Sequence, residues 1–394
     1  MTSSARSTRR LRVLLTSTPG AGHLGPMLPL ASALRSAGHD VLWATAQESC
    51  ARIASWGFAA AAAGFGAGER AARLVPRMPQ IMALDPRERR AHLFAGFFGD
   101  IAAPRMATDL TPVFEDFRPD VVIHEVAELA AAPMAVARGL PHVSVAFSGA
   151  LQPHVIGAAL AATAQLWVAE GAASADEAAM FGELYLHPFP AAFGEPPTLR
   201  NVRLMRPEAS TGASVAVPDW LALLGTRRPL VYLTAGTEPS SALAPWQPAF
   251  EALAQLDVDV VATTGPALDP ATFGEPPANV RVERFVPQAL LLARAAVVAS
   301  HAGAGTMLGA AALGVPQLLF PAVADQWDNA DAIASTGAGI VCEPTARTAD
   351  GLRAVLQRLL DDTSIRDAAA QVAAEIAEMP EAAQHVAAIE ALVP

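Results

Sequence analysis

Two short segments carry the side chains with the clearest chemical potential. The first, "STPGAGHLGP" (17–26), places His23 within a Gly20-x-Gly22-x-x-Gly25 spacing directly after the apolar run "LRVLLT" (11–16). That spacing is the one used by dinucleotide-binding turns, but a histidine inside it suggests proton transfer instead. A neutral imidazole in the loop after the first strand of an open α/β sheet faces the ligand crevice. As a general base it is worth about 10²–10⁴ in rate. Its other ring nitrogen needs an orienting partner, and the segment after "DVVIH" (120–124) offers Glu125 and Glu128. His124 closes an apolar strand and reads as a core histidine.

The second segment, "SHAGAGT" (300–306), follows "AAVVAS" (295–300) and opens a small-residue helix. Backbone N–H groups at such a helix start bind anions without any cationic side chain. Gly303 and Gly305 allow close approach, and the Thr306 hydroxyl adds a donor. "TAGT" (234–237) brings Gly236 and Thr237 to the same sheet edge. Two turns converging there suit a diphosphate.

A nicotinamide site also wants an acidic residue at the end of the second strand, where it holds the ribose hydroxyl. Here that strand ends "LWATAQ" and Glu48 comes only after the turn, which disfavours an NAD-dependent Rossmann oxidoreductase. A plain glycine-rich turn with His23 as a packed core residue is the other alternative.

The elements that must hold these residues alternate along the chain. Strands are expected at 11–16, 40–45, 120–124 and 142–147, then at 229–235, 258–264, 280–285, 295–300 and 316–320. Helical patterns lie between them, including one over 88–116. Near-continuous apolar strands between helices indicate parallel sheets buried on both faces. The expected fold is therefore α/β, with two Rossmann-like doubly wound domains facing each other across a cleft. The boundaries read as 1–205, a Pro/Gly/Ser-rich linker at 206–218, a second domain at 219–379, and a terminal helix at 380–394.

Composition narrows the function classes. In 394 residues, 52% are hydrophobic and 16% charged, and the net charge is −11, so neither nucleic acid nor a membrane is expected as a partner. All 27 basic residues are arginine. Cys50 and Cys342 are too far apart in sequence to suggest a disulfide framework, and the N-terminus lacks a signal-peptide core; a cytoplasmic enzyme is the simple reading. A homodimer is compatible with the sequence.

The segments "GHLGPMLPLASALRSAGHDV" (22–41), "FVPQ" (285–288), "HAGAGT" (301–306) and "GVPQLLFPAVADQWDNA" (314–330) resemble the GT-B inverting glycosyltransferases. The similarity is greatest to the bacterial natural-product branch, of antibiotic and macrolide type, in glycosyltransferase family 1. The resemblance implies that His23 is the catalytic base. Its partner in the family is usually Asp; Glu125 stands at that position, with Glu128 the fallback. It further implies diphosphate contacts from Thr237, His301, Gly303, Gly305 and Thr306, and donor-sugar contacts from Asp325 and Gln326. The nucleobase would lie against Val286, with Phe285 and Gln288 beside it. The terminal helix would pack back towards the first domain. No cofactor or metal is implied beyond the nucleotide-sugar donor.

Two departures bear on the donor. Gly309 replaces the acid that holds the ribose hydroxyls of UDP in plant-like relatives, and Phe285 replaces a tryptophan. Both suit a dTDP-linked sugar, a deoxysugar in particular. Phe94, Phe98 and Phe147 are the expected wall of a hydrophobic acceptor pocket, alongside a core-packing reading for each. A non-catalytic accessory homologue is a further alternative, which His23 beside a carboxylate argues against.

Overall fold

The computed structural model describes residues 9–85, 88–172, 176–194, 199, 201–208, 217–237, 243–266 and 268–394. They form two compact units. One lies within Met1–His187, Pro196–Met205 and Pro380–Pro394, and the other within Pro188–Glu195 and Arg206–Met379. Most of the expected linker, residues 209–216, lies outside the described residues.

The first unit is built on seven parallel strands: β1 (Arg12–Thr16), β2 (Asp40–Thr45), β3 (Ala59–Ala62), β4 (Val121–Glu125), β5 (His142–Val145), β6 (Leu184–His187) and β7 (Val202–Leu204). Their order is β3-β2-β1-β4-β5-β6-β7. Alternation along β1 explains why both faces are covered. Leu14 enters one hydrophobic cluster with Val122 and Met134, while Val13 and Leu15 enter another with Leu30, Leu34 and Ile123. That second cluster also takes in Ala382, Val386 and Ile389 of the terminal segment. The His39 Nε2–Glu390 Oε1 pair, at 3.1 Å, ties the segment down.

The second unit carries β8 (Leu230–Thr234), β9 (Asp259–Thr263), β10 (Val280–Glu283), β11 (Ala295–Ser300), β12 (Gln317–Leu319) and β13 (Gly339–Val341). All six are parallel, in the order β10-β9-β8-β11-β12-β13. Both sheets therefore reverse direction beside their first strand. Open α/β sheets bind ligands at this switch point, just beyond the carboxyl ends of the strands. In the first sheet Thr16 lies opposite His124, and in the second Ser300 lies opposite Thr234. Register thus sets the β1 and β4 loops side by side in one unit, and the β8 and β11 loops side by side in the other.

Four strands depart from the sequence expectation. β3 is a run of four alanines, poor strand formers, and β6, β7 and β13 are only three or four residues long, too short to show a period. The single helix expected over 88–116 instead runs as Arg89–Leu93, a π-helical stretch Phe94–Ala102, and Ala103–Phe117. Pro104 cannot donate to the residue-100 carbonyl and crowds it, so the turns before it widen. Gly99 sits tight on Ala162; a Cβ there would lie 2.7 Å from the alanine methyl. Among the described residues no helix is long and apolar enough to cross a membrane.

Candidate active site

The β1 loop differs from the expected open glycine turn. Residues Ala21–Leu24 form a helical turn that runs through Gly25–Met27 into the helix Leu28–Ser36. Only Gly20, at φ 121°, needs to be glycine; Gly22 and Gly25 have ordinary helical surroundings and room for a Cβ. The G-x-G-x-x-G spacing is thus not a conformational requirement here, and His23 projects from the first turn of a helix.

His23 Nδ1 lies 3.0 Å from Glu125 Oε1, and the pair is part-buried. The Glu125 side chain is 1% exposed. Its Oε1 also accepts from the Thr18 hydroxyl at 2.7 Å and the Thr18 N–H at 3.3 Å, and its Oε2 from the Ala127 N–H at 2.7 Å. Burial pushes this carboxyl up, but the charge of His23 and the hydrogen bonds from His23, Ala127 and Thr18 outweigh it and hold the group below its ordinary value. An ionised acceptor at Nδ1 fixes the proton there and puts the imidazole lone pair on Nε2. Thr18 is a supporting residue that no motif in the sequence marks.

Glu128 takes no part in this pair. Its Oε2 accepts from the Thr16 hydroxyl at 2.5 Å and the Ala131 N–H at 3.2 Å, and its Oε1 from the Ala130 N–H at 2.8 Å, so it satisfies two N–H groups where the helix Ala131–Ala137 begins. Burial raises its pKa to about 7 against those three hydrogen bonds, with the charge of Glu125 adding to the rise. The folded state therefore holds this proton more tightly than the unfolded chain, whose value is near 4.5. Stability is lost as pH climbs through that window, by up to about 3 kcal/mol. Glu128→Gln removes the titration. Urea unfolding at pH 5 and pH 8.5 is expected to show the variant gaining on the parent at the higher pH; a pH-independent difference would refute this reading.

His124 is fully buried, with Nε2 3.1 Å from His142 Nδ1 and 3.0 Å from the Ser144 hydroxyl. Desolvation and the neighbouring His142 push it down to about 3. It is a neutral core histidine, as its place at a strand end implies.

Two of the three aromatics expected to wall an acceptor pocket lie against the imidazole. Phe147 lies 4.6 Å and Phe98 5.7 Å from the His23 ring, centroid to centroid. Phe94 does not: it is 4% exposed and packs edge-on behind Phe98 at 5.4 Å. Its side chain joins the hydrophobic cluster that holds Met106 and Leu110. A pocket walled by Phe65, Phe97, Phe98, Met106 and Leu129 opens beside the loop Ser17–Pro19, with Glu128 also lining it.

In the second unit the β8 and β11 loops meet around His301. A Cβ on Gly236, which sits at φ 80°, would lie 2.7 Å from His301 Cε1, and one on Gly303 would overlap the same ring. The Cε1–Nε2 edge of the imidazole thus packs closely against both glycines. Desolvation lowers its pKa to about 4, against the charge of Asp325 and a backbone hydrogen bond at Thr234, so the ring is neutral. Gly303 is the N-cap of the helix Ala304–Ala312, whose first N–H groups open at this turn. Thr237 is exposed at the end of the β8 turn. The buried Thr306 hydroxyl accepts from Gln288 Nε2 at 2.8 Å. Beside Gln288, Val286 is 5% exposed and Phe285 73% exposed.

Asp325 precedes the helix Gln326–Thr336. The Gln326 side-chain oxygen accepts from the Ala322 and Val323 N–H groups at 2.8 and 3.1 Å, so this amide braces its own loop. Ala302 (φ 63°) and Ala324 (φ 57°) adopt left-handed backbone, which costs an alanine roughly 1–2 kcal/mol. Strain of this kind gathers where a fold holds loops for function. Among the described residues no group of three or more His, Cys, Asp or Glu could hold a metal ion.

Two doubly wound parallel domains, each presenting its loops at a switch point, define a GT-B glycosyltransferase fold. Residues 247–392 match the family model for the erythromycin biosynthesis protein CIII-like C-terminal domain. Across 386 residues the chain is 32% identical to the L-demethylnoviosyl transferase of Streptomyces niveus, spanning 93% of this chain and 98% of that relative. The crystal structure of the glycosyltransferase VinC in complex with dTDP is 29% identical, with a TM-score of 0.81 over 97% of this chain and 99% of VinC. The glycosyltransferase SnogD from Streptomyces nogalater is 28% identical, with a TM-score of 0.78 over 98% of this chain and 100% of SnogD. The chain belongs to the natural-product branch of the GT-B glycosyltransferases and is an enzyme of that class.

Proposed function

We propose that this glycosyltransferase is inverting, and that it moves a deoxysugar from a dTDP-linked donor to a hydroxyl of a hydrophobic natural product. The observation that carries the reading is the His23–Glu125 pair, with Phe98 and Phe147 against the imidazole. With Nδ1–H held by Glu125, Nε2 takes the acceptor proton as the oxygen attacks the anomeric carbon. The new C–O bond forms on the face opposite the breaking bond to phosphate. The configuration at that carbon inverts, and dTDP leaves with the electron pair. Negative charge on the leaving diphosphate is met by the N–H groups and dipole at the start of Ala304–Ala312, with His301 and Thr306 as neighbours. Asp325 and Gln326 are assigned to the donor sugar, and Thr237, Gly303 and Gly305 to the diphosphate. Val286, Phe285 and Gln288 are assigned to the base. These groups need no metal ion, so EDTA should leave the rate unchanged.

The deoxynucleotide choice is supported by Gly309, which leaves no carboxylate at the place where family relatives hold the ribose hydroxyls, and by the dTDP bound to VinC. The hydrophobic acceptor is supported by the aromatic rings of Phe98 and Phe147 beside the His23 imidazole. Calorimetric titration is expected to show dTDP binding more tightly than UDP. Incubation with dTDP-deoxysugars and polycyclic or macrocyclic aglycones, read by mass spectrometry and anomeric NMR, should then give the inverted glycoside. Tighter binding of UDP, or a retained anomer, overturns the proposal.

A further inference from the structure

Asn329 was not among the site residues read from the sequence, yet its amide joins the two donor-side loops. Both hydrogens of its Nδ2 are used. One goes to the Ala302 carbonyl at 3.0 Å, within the turn that follows β11, and the other to Asp325 Oδ2 at 2.8 Å. The side chain is fully buried, and its Oδ1 meets no hydrogen-bond donor among the described residues. Ala302 is held in left-handed backbone, its own N–H bonded to the Ser300 hydroxyl at 3.2 Å. Asp325 follows the second left-handed alanine, Ala324.

We propose that Asn329 is a positioning residue for the donor: it fixes the Ala302 carbonyl and the Asp325 carboxylate relative to each other, so that the diphosphate turn and the sugar-binding carboxylate act as one preformed site. A carboxamide suits this task because it presents two N–H donors in one plane. Aspartate has the same shape but offers no donor when ionised and sets a like charge against Asp325. Alanine reaches neither partner. Without the tether, Asp325 can turn away and the Ala302 turn can relax towards right-handed backbone, and donor binding must then re-order both.

This inference rests on the nucleotide-sugar reading of the second unit. The experiment measures dTDP binding by calorimetry, and donor and acceptor KM in the transfer assay, for the parent, Asn329→Ala and Asn329→Asp. Thermal melting checks folding, and the isosteric Asn329→Asp carries the test if the alanine variant does not fold. The expected result is about tenfold weaker dTDP binding and a still larger rise in the KM of the dTDP-sugar, which must engage both loops. Acceptor KM should stay within about twofold of the parent, a split that general loosening of the fold would not produce. Unchanged dTDP affinity and donor KM in folded variants overturn the inference, as does an equal rise in acceptor KM. A parent protein that binds no nucleoside diphosphate overturns the donor-site reading itself, and the inference falls with it.

Discussion

Replacing His23 with alanine is expected to lower kcat/KM for transfer about 10³-fold while leaving the affinity for dTDP unchanged. The size follows from the task. An aglycone hydroxyl is a weak nucleophile at neutral pH, and a positioned base typically supplies about 10²–10⁴ of the rate. The separation of effects follows from the fold, because His23 belongs to the first unit and the residues assigned to the diphosphate belong to the second. Steady-state kinetics paired with calorimetry checks both halves. Transfer at the parental rate removes His23 from the mechanism; loss of dTDP binding shows the variant acting through the fold instead.

Glu125→Gln extends the same argument. Glu125 Oε1 receives the Thr18 donors and His23, and Oε2 receives the Ala127 N–H. A glutamine must place its NH₂ against one of these sets. It either opposes the Ala127 N–H or reverses the His23 tautomer, and in both cases the negative charge that stabilises the imidazolium is gone. A loss of about 10²-fold or more in kcat is expected, with donor KM unchanged.

The positions of the chemistry were legible in the sequence because strand–loop–helix order is written in hydropathy. "LRVLLT" before His23, "DVVIH" before Glu125 and "AAVVAS" before "HAGAGT" place each group at the carboxyl end of a strand. The choice between Glu125 and Glu128 was not legible, since both follow β4 within one loop. Their difference comes from hydrogen bonds made by Thr18 and Thr16, residues that register brings across from β1. An α-helical spacing of i, i+3 and i+4 would put Phe94, Phe97 and Phe98 on one face, but π-helical turns change that spacing. Phe94 and Phe97 are buried, and Phe98 is left half-buried beside His23. Asn329 was hidden for another reason. Its i, i+4 relation to Asp325 is visible in "DQWDN", but its second bond reaches back 27 residues to a backbone carbonyl, which no side-chain pattern records.

The second large effect concerns the glycines of the turn assigned to the diphosphate, where two neighbours should behave in opposite ways. Gly303→Ala puts a methyl into the His301 ring, whose Cε1–Nε2 edge also lies close against Gly236. A loss of about 2–4 kcal/mol in stability is expected, together with the donor site. Gly305 lies in ordinary helix, exposed, with no atom within 4 Å of an added Cβ. Its alanine variant should be more stable by about 0.5–1 kcal/mol, since alanine restricts the unfolded chain and favours the helix. Yet if the diphosphate closes on the N–H groups of this turn, the same methyl stands in the phosphate's path, and dTDP affinity should fall at least tenfold. Stability rising while affinity falls is an outcome that a purely structural glycine cannot give. A Gly305→Ala protein that melts higher and binds dTDP as the parent does would move the diphosphate away from this turn.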